Sequence, residues 1–461
     1  MGLSFKKVHF VGIGGIGMSA VAEMLHAEGV FVQGSNDKAN DNTMRLVNAG
    51  IPVIIGHSPD NLKDADCVVV STATWDNTET VAARQRGIPV AHRSEMLAEL
   101  LKLKNSICVA GTHGKTTTSS LIASILLQAK WHPSFIIGGI LNAQKSNAQM
   151  GTGSWVVAEA DESDGSFLHL PSIVSVVTNI DPEHLDHYKT FEHEKQAFLS
   201  FLNQTAFYGF NVVCLDHPVI KELLPQIKNR EIITYGLDEM AGVCAKNIQL
   251  LESGSCFDVH IRIKNTEKVI ERMTLNMLGA HNIQNALAAI AVAVRLGISE
   301  EVIKKALAEF QGIQRRLSLR GKTNKGNPIY DDYAHHPNEI KATLAALKNS
   351  GYNRMIAIWQ PHRWSRFKDL YFDFLTAFDL ADIVGVLDVY AAGESPQDVS
   401  TQAFVAEMKK VKPAFQTTLE TLSEDLKNIL QPGDCIVCLG AGSISPKAKQ
   451  LPELLGGEKH E

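Results

Sequence analysis

The sequence twice runs from a short apolar strand through a glycine-rich turn into a helix pattern. The first copy, VHFVGIGGIGMSAVA at residues 8–22, places Gly12, Gly14 and Gly17 in the spacing G-x-G-x-x-G. Such glycines allow a tight turn and let the backbone approach a pyrophosphate at a helix N-terminus. The second copy is ICVAGTHGKTTTSSLIASIL at residues 107–126. Together they predict two phosphate-binding turns on separate α/β units.

The first glycine turn does not by itself identify the nucleotide that binds there. An NAD site requires an acidic residue about 20 residues further on, at the end of the second strand, to hold the ribose hydroxyls. Here the segment VFVQGSNDK ends that strand with Ser35 and Asn36, and Asp37 comes one residue later. An NAD-dependent oxidoreductase therefore stays an alternative, beside a protein that binds another diphosphate.

The second turn contains Gly114, Lys115 and Thr116. A P-loop supplies backbone N–H groups around the phosphates, a lysine on the β and γ oxygens, and a hydroxyl for Mg²⁺. The full pattern G-x-x-x-x-G-K-[ST] is broken, because Val109 stands six residues before Lys115. This departure counts against a generic kinase or GTPase, yet the strand, loop and helix still predict ATP binding. The ATP-binding residues predicted in the loop are Gly111, Thr112, His113, Gly114, Lys115, Thr116 and Thr117.

Polar residues follow two further strands of the same unit. Glu159 and Asp161 come just after the aliphatic run in GSWVVAEADES, and His184 follows SIVSVVTNI. Parallel strands deliver their carboxyl ends to one edge of a sheet, so the hydroxyl of Thr116, the carboxylate of Glu159 and the imidazole of His184 are expected to converge. That set predicts a magnesium site. The alternatives are a solvated acidic loop and a structural or helix-capping histidine.

Length and composition limit the class of protein. The 461 residues suffice for about three domains with real cores. A net charge of −6 gives no reason to expect nucleic acid or an anionic membrane as a partner. The longest apolar helical run, residues 285–298, contains Arg295 and is too short to span a bilayer.

The chain shows no secretion signal near its first residues, and its seven scattered cysteines suit a reducing compartment. We therefore expect a cytoplasmic location. Cys435 and Cys438 form C-x-x-C within the strand pattern DCIVCLGAG. Buried strand thiols explain them better than a redox pair or half of a zinc site, because no second pair of ligands follows at a suitable spacing.

Alternation of strands and helices predicts an α/β protein of three domains, at residues 1–103, 104–313 and 314–461. The first is expected to be a doubly wound, Rossmann-like domain, the second a P-loop-type ATPase domain, and the third another Rossmann-like domain. The third has strands at IYDDY, MIAIWQ, IVGVLDV and CIVCLGAG.

Seven motifs together resemble one family. They are GTHGKTTT, EADESDGSFL, TNIDPEHLDHY, LGAHNIQNALAA, YDDYAHHPNEI, QPHRWSR and LGAGSI, and they occur in this order over nearly the whole chain. In this the chain resembles the Mur ligases of peptidoglycan synthesis, which join amino acids to a UDP-sugar at the expense of ATP. The resemblance implies that the first glycine turn holds the UDP diphosphate rather than NAD.

Within that family the motifs are most similar to the enzymes that add L-alanine to UDP-N-acetylmuramate through an acyl phosphate. The implied small-molecule partners are UDP-N-acetylmuramate, L-alanine and ATP, with Mg²⁺ as cofactor. The family's murein tripeptide recycling ligases are an alternative, although they usually have an aromatic residue in the place of Ser163. A third alternative is a non-catalytic, nucleotide-dependent assembly protein. The sequence does not predict the oligomeric state.

The resemblance also implies roles for individual residues. Lys115 and His184 are expected to be catalytic, and Thr116, Glu159 and His184 to bind the metal. The residues expected to bind the UDP-sugar are Gly12, Gly14, Gly15, Gly17, Ser35, His57, Ser71, Thr72 and Asn77. Ordinary loop polarity is the alternative explanation for the polar members of this set.

Three side chains with one-turn spacing on a helix, His281, Asn282 and Asn285, suit an adenine edge. Helix capping and core packing are the alternative. Arg316 and Asp332 resemble nucleotide contacts contributed by the C-terminal domain, although each could be a solvated charge. The residues expected to bind the amino acid or the acyl phosphate are Tyr333, His335, Arg363 and Arg366. Arginine offers a planar fork to such anions, whereas a zinc site built on the paired histidines lacks further ligands.

Overall fold

The structure is a computed structural model that describes residues 5–251, 254–264, 266–348 and 350–460, except the side chain of residue 186. Its strands form three sheets, which follow one another along the chain. The predicted α/β fold class is confirmed. No helix among the described residues has both the length and the apolar character needed to cross a membrane.

The first sheet is entirely parallel, in the order β3-β2-β1-β4-β5. Its strands are β1 (Lys7–Val11), β2 (Phe31–Asn36), β3 (Val53–Ile55), β4 (Cys67–Val70) and β5 (Val90–His92). Its helices are α1 (Ile16–Ala27), α2 (Asp41–Asn48), α3 (Thr78–Gln85) and α4 (Arg93–Leu101). The strand order reverses between β1 and β4, so the loops that follow these two strands leave a crevice at their carboxyl ends.

The second sheet has the order β15-β14-β13-β12-β11-β10-β6-β9-β7-β8. Its strands are β6 (Asn105–Ala110), β7 (Ser134–Leu141), β8 (Ser146–Gln149), β9 (Trp155–Glu159), β10 (Val174–Val177), β11 (Phe210–Cys214), β12 (Glu231–Gly236), β13 (Val243–Leu251), β14 (Gly254–Ile263) and β15 (Thr266–Leu275). Its helices are α5 (Lys115–Gln128), α6 (Leu185–Tyr188), α7 (Phe191–Gln204), α8 (Pro218–Leu223), α9 (Ala280–Arg295) and α10 (Glu300–Ala308). β6 lies between β10 and β9 and is parallel to both. The loops after these three strands therefore meet at one edge, as the sequence predicts.

The third sheet has the order β20-β19-β18-β21-β17-β16-β22. Its strands are β16 (Ser318–Lys322), β17 (Pro328–Asp332), β18 (Arg354–Trp359), β19 (Ile383–Val386), β20 (Ala414–Gln416), β21 (Asp434–Leu439) and β22 (Glu458–Lys459). Its helices are α11 (Pro337–Lys348), α12 (Trp364–Asp369), α13 (Tyr371–Ala377), α14 (Thr401–Met408), α15 (Leu422–Ile429) and α16 (Ile444–Leu454). β16 pairs antiparallel with β17 and β22, whereas β17 to β21 are joined by parallel pairs. Cys435 and Cys438 are buried thiols on β21.

Contacts divide the chain into two compact units. One comprises Met1–Asn247, Phe257–Thr274 and Gln284–Gln311, and the other Ile248–Cys256, Leu275–Ile283 and Gly312–Glu461. The first unit contains the whole of the first sheet and most of the second, and the second unit contains the third sheet. The three domain boundaries at 1–103, 104–313 and 314–461 stay predictions.

A buried polar network fixes the carboxyl end of the first sheet. The Glu79 carboxylate is fully buried and accepts hydrogen bonds from the Ser35 hydroxyl, the Ser58 N–H and the Asn61 amide, and it contacts His9 Nε2 at 3.1 Å. Burial would raise the pKa of Glu79, but these hydrogen bonds outweigh it and lower the pKa to about 2. The ionised carboxylate thus ties α3 to β1, β2 and the loop after β3.

We expect Glu79→Gln to lower the free energy of unfolding by about 2 kcal/mol at pH 7, because a buried ionised acceptor is lost. The folded pKa of about 2 lies below the unfolded value near 4.3, so the carboxylate stabilises the fold above about pH 5. That contribution disappears as the pH falls toward 2. Urea unfolding at pH 7, 5 and 4 measures it, with the exposed Glu28→Gln as control. Equal stability of Glu79→Gln and wild type at pH 7, or a gap that widens in acid, would contradict this.

Candidate active site

The first glycine turn connects β1 to α1. Gly12 has φ +77°, in the region that favours glycine. The N–H of Gly14 donates to Asn36 Oδ1 at 3.0 Å, and a Cβ at Gly14 would lie 2.8 Å from Thr43 Cγ2. Gly15 precedes the first turn of α1 and has no side chain that could cap it. The first N–H groups of α1 therefore remain available to an anion.

The second glycine turn connects β6 to α5 and is held by the loop after β10. Gly111 has φ +133°, and a Cβ there would overlap the Thr178 hydroxyl. The Thr178 hydroxyl and the Asn179 amide both donate to His113 O, and His113 N–H donates to Asn179 Oδ1 at 2.7 Å. The Thr112 hydroxyl accepts from Asp181 N–H. The turn is therefore fixed before α5 begins.

Lys115 is the first residue of α5, and its ammonium group lies against its own loop. Nζ donates to Gly111 O at 2.6 Å, to Thr112 O at 3.1 Å and to Glu162 Oε1 at 2.7 Å. Burial alone would lower the pKa of Lys115, but the carboxylates of Glu162 and Glu159 outweigh it and hold that pKa above its usual value. Lys115 is therefore a permanent cation at this site.

Thr116 and Glu159 form the next pair of the site. The Thr116 hydroxyl lies 3.1 Å from Glu159 Oε1 and 3.0 Å from Oε2. The N–H of Gly138, on β7, donates to Glu159 Oε2 at 2.7 Å. A carboxylate and a hydroxyl at the N-terminus of α5 thus face each other, as predicted from the ends of β6 and β9.

Glu162 lies on the loop after β9 and is only 1% exposed. Burial raises its pKa to about 7, and Lys115 opposes that rise. Oε1 of Glu162 lies 3.8 Å from His184 Nε2, so Glu162 connects the lysine to the predicted catalytic histidine. His184 has φ +56°, an unfavourable backbone conformation of the kind that clusters at functional sites.

A cavity of about 590 Å³ extends from the first glycine turn to Lys115, the first residue of α5. Its lining residues are Gly12, Gly15, Ile16, Gly17, Met18, Asn36, Ser71, Ala73, Thr74, Arg93, Leu97, Lys115, Ile136, Ile137, Gly138, Glu159 and Asp161. The volume suits a ligand of the size of a nucleotide sugar. The Arg93 guanidinium and the Lys115 ammonium provide positive charge to its walls.

The other residues predicted to bind the UDP-sugar do not line this cavity. Ser35 is fully buried beside Glu79, and the Ser35 hydroxyl lies 2.9 Å from His57 Nδ1. Thr72 Oγ1 lies 3.4 Å from Asp164 Oδ2, and Asn77 caps α3. Their roles, like that of Gly14, stay predictions that the cavity does not support directly.

The predicted adenine-binding residues lie at the start of α9. The Thr118 hydroxyl donates to Asn285 Oδ1 at 3.2 Å, and a Cβ at Gly114 would lie 2.5 Å from the same oxygen. Asn285 therefore packs against the second glycine turn. Asn282 donates to Leu278 O at 2.8 Å. His281 is half-buried, and burial together with the Arg316 guanidinium lowers its pKa to about 4.

In the C-terminal unit, Asp332 ends β17 and accepts hydrogen bonds from the N–H groups of Leu317 and Ala334. Burial raises the pKa of Asp332 to about 6, although the nearby positive charge of Arg316 lowers it. The Arg316 guanidinium lies 5.3 Å from the centre of the Tyr333 ring. Predicted nucleotide and amino-acid residues are thus neighbours at the end of this strand.

The segment after β18 places further aromatic rings and guanidinium groups next to Tyr333. The His335 ring packs edge-on against Tyr333 at 5.2 Å and lies 5.8 Å from the His362 ring. Arg366 Nη1 lies 3.3 Å from His362 Nδ1. Arg363 has φ +68°, and its N–H donates to a carbonyl of the loop after β19. The structure therefore brings Tyr333, His335, Arg363 and Arg366 to one region.

Sequence comparison matches three segments between residues 7 and 442 to models of one family. Residues 7–105 match the "Mur ligase family, catalytic domain", residues 109–293 the "Mur ligase middle domain", and residues 315–442 the "Mur ligase, glutamate ligase domain". The chain belongs to the Mur ligase family.

Relatives of this Mur ligase include the UDP-N-acetylmuramate–L-alanine ligases of Agrobacterium fabrum and Rhodospirillum centenum. Each is 49% identical to it, over 97% of this chain and 96% of the relative in the first case, and 98% and 95% in the second. Among solved structures, the UDP-N-acetylmuramate-alanine ligase MurC of Thermotoga maritima matches with a TM-score of 0.81 and 30% identity, over 97% of this chain and 98% of that one. A murein peptide ligase of Psychrobacter arcticus matches with a TM-score of 0.73 and 23% identity, over 98% and 99%, which supports the fold alone.

Several residues of this Mur ligase site were missed by reasoning from sequence. Thr178 and Asn179 hold the second glycine turn, Arg93 lines the cavity, and Glu162 pairs with Lys115. Thr178 and Asn179 could have been found, because they directly follow the apolar strand β10 next to the turn. Arg93 starts a helix in another part of the chain and has no local signal.

We expect the imidazole of His281 to remain neutral from pH 8 down to about pH 5.5, because its folded pKa is about 4. The unfolded chain, with a value near 6.5, takes up the proton first, so this residue costs stability as the pH falls from about 6.5 to 4. NMR of ¹³C-histidine-labelled protein measures the titration. A His281→Gln spectrum assigns the signal, and free histidine serves as reference. A midpoint above pH 6 for His281 would contradict the prediction.

Proposed function

We infer that this Mur ligase uses ATP to form an amide bond between the lactyl carboxylate of UDP-N-acetylmuramate and the amine of L-alanine, as a step of peptidoglycan precursor synthesis. Its relatives over nearly the full chain are UDP-N-acetylmuramate–L-alanine ligases. The observation in the site that carries this inference is the cavity that extends from the first glycine turn to Lys115 and Glu159. A sugar nucleotide held there brings its far end to the residues that bind ATP.

A carboxylate and an ammonium ion do not condense favourably in water. In the reaction, a carboxylate oxygen attacks the γ-phosphorus of ATP, the bond to the bridging oxygen breaks, and ADP leaves. The neutral amine of L-alanine then attacks the carbonyl carbon of the acyl phosphate. The tetrahedral intermediate expels inorganic phosphate and leaves the amide, and the amine proton passes to solvent.

In the first step the lactyl carboxylate must approach the γ-phosphate of ATP, and both are anions. The positive charge of Lys115 would reduce the repulsion between them. Lys115 is fixed at the N-terminus of α5, where the helix dipole also favours negative charge. It would stabilise the charge that develops on the transferred phosphoryl group. Exclusion of water from the cavity would protect the acyl phosphate from hydrolysis.

The residues at the end of β9 fit a magnesium ion. Mg²⁺ takes oxygen ligands and is usually held by one or two carboxylates together with substrate phosphates. The Thr116 hydroxyl and the Glu159 carboxylate lie together beside Lys115, and His184 is the third proposed ligand. Among the described residues, no group of three His, Cys, Asp or Glu side chains is arranged to hold a metal ion. When bound, Mg²⁺ would screen the charge of the phosphates.

The remaining site assignments are proposals of the same account. We assign the UDP diphosphate to the turn at Gly12, Gly15 and Gly17, with Ser71 beside it. We assign the adenine to His281, Asn282 and Asn285, with Arg316 and Asp332 as further nucleotide contacts, and the amino acid to Tyr333, His335, Arg363 and Arg366. We place the reaction in the cytoplasm, where ATP is made and the seven unpaired cysteines stay reduced.

Addition of a murein tripeptide instead of L-alanine is the second candidate, and the relatives at 49% identity do not favour it. A nicotinamide-dependent reaction has less support. The acid at the end of β2 is absent, and Asn36 at that place is used to hold Gly14.

We expect Lys115→Ala to lower kcat by at least about 100-fold, because the lost cation acts on the transition state. Binding of UDP-N-acetylmuramate should change by less than about threefold, since the diphosphate is held by the other turn. Product formation measures the first effect and titration calorimetry the second. Lys102→Ala, at an exposed ion pair on the end of α4, is the matched control and should leave both unchanged. Turnover near the wild-type rate in Lys115→Ala would overturn the mechanism.

A further inference from the structure

The ammonium of Lys115 already has a full set of partners. An ammonium ion has three N–H donors, and the carbonyls of Gly111 and Thr112 and the carboxylate of Glu162 accept one each. Both carbonyls belong to the glycine turn itself, so they fix the lysine locally. Glu162, 47 residues away in sequence, is the charged partner.

Glu162 is buried in a way that makes Lys115 its principal counter-ion. It is 1% exposed, and its Oε2 atom accepts no hydrogen bond from the described residues. The His184 imidazole nitrogen Nε2 lies at 3.8 Å from Glu162 Oε1, whereas Lys115 Nζ lies at 2.7 Å. A buried carboxylate without a close counter-ion is strongly unfavourable, so removal of the lysine would leave the Glu162 charge without its partner.

The two members of the pair have different access to ligands. Lys115 lines the large cavity, whereas Glu162 does not. Glu162 therefore contacts the lysine from the protein side, and a phosphate group would approach the lysine from the cavity. The loop that bears Glu162 is also anchored, because the Tyr188 hydroxyl donates to Glu162 O at 2.5 Å.

We propose that Glu162 is a positioning residue that fixes the Lys115 ammonium at the wall of the cavity for phosphoryl transfer. This rests on the proposed function. Glu162 acts through the lysine and touches no reacting atom. Its negative charge also opposes a bound triphosphate, so the position of the lysine is obtained at some cost in nucleotide affinity.

The test is Glu162→Gln, which keeps the shape and removes the charge. We expect kcat to fall about 10- to 100-fold, because a lysine that is no longer held loses its effect on the transition state. KM for ATP should stay unchanged or fall, since a repulsive charge is gone. Glu162→Asp keeps the charge and should recover part of kcat. A merely structural role would lower kcat only through loss of folded protein, which the melting temperature and active-site titration measure.

Glu194→Gln is the matched control. Glu194 is another fully buried glutamate with an oxygen that accepts no hydrogen bond from the described residues, and burial raises its pKa to about 8. Its other oxygen accepts a hydrogen bond from the Glu183 N–H at 3.2 Å, which the side-chain oxygen of glutamine can also accept, so kcat and KM should stay within about twofold of wild type. Unchanged kcat in Glu162→Gln, or a raised KM for ATP with kcat unaltered, would overturn the proposal.

A second measurement does not depend on the reaction. Calorimetry with ADP and MgCl₂ gives the nucleotide Kd of wild type, Glu162→Gln, Lys115→Met and the double variant. We expect Glu162→Gln to change the Kd by different factors in the wild-type and Lys115→Met backgrounds. The part of its effect that acts through the lysine is lost with the lysine, whereas the direct repulsion between the carboxylate and the phosphates stays. Additive effects would contradict the proposal. If the wild type forms no product from UDP-N-acetylmuramate and L-alanine, the proposed function fails, whereas this cycle still tests the pair.

Discussion

A single ammonium group among carboxylates is the interaction on which this site depends. Lys115 contacts Glu162 directly, and the charges of Glu159 and Asp161 act on it as well. This region is therefore rich in negative charge before any nucleotide binds. A triphosphate adds more, and the divalent cation that we propose at Thr116 and Glu159 would screen that charge.

The order of the strands brings these charges together. β6, which leads into the glycine turn, lies between β9 and β10 in a parallel arrangement. Glu162, after β9, and the side chains of Thr178 and Asn179, after β10, therefore reach the second glycine turn and Lys115 from opposite sides of β6. In the first sheet the reversal of strand order between β1 and β4 leaves the crevice where the first turn lies. The first glycine turn and Lys115, the first residue of α5, thus line one cavity.

Much of this could be predicted from the sequence, because its signals are local. A strand, a glycine turn and a helix stand next to each other in the chain, so β1 with α1 and β6 with α5 were predicted correctly. The contact between the side chains of Thr116 and Glu159 was predicted because parallel strands have their carboxyl ends at one edge of the sheet. Strands β17 and β18 likewise coincide, to within a residue at each end, with the segments IYDDY and MIAIWQ that the sequence predicts as strands.

The features that could not be predicted depend on distant parts of the chain. The pair of Lys115 with Glu162 and the network around Glu79 join residues that only the folded sheets bring together. The family resemblance implied that Ser35 and His57 bind the UDP-sugar, but it could not reveal that a buried carboxylate accepts a hydrogen bond from the Ser35 hydroxyl. The antiparallel strand β22 is only two residues long and has no periodicity to detect.

The most direct test of the account is the release of inorganic phosphate from ATP by the wild-type protein with UDP-N-acetylmuramate, L-alanine, both or neither. A further reaction contains UDP-N-acetylmuramate with the tripeptide L-alanyl-γ-D-glutamyl-meso-diaminopimelate in place of L-alanine. The account predicts rapid release only when the sugar nucleotide and L-alanine are both present, with one phosphate per amide formed. Release that needs the tripeptide instead, or release that ignores the sugar nucleotide, would contradict it.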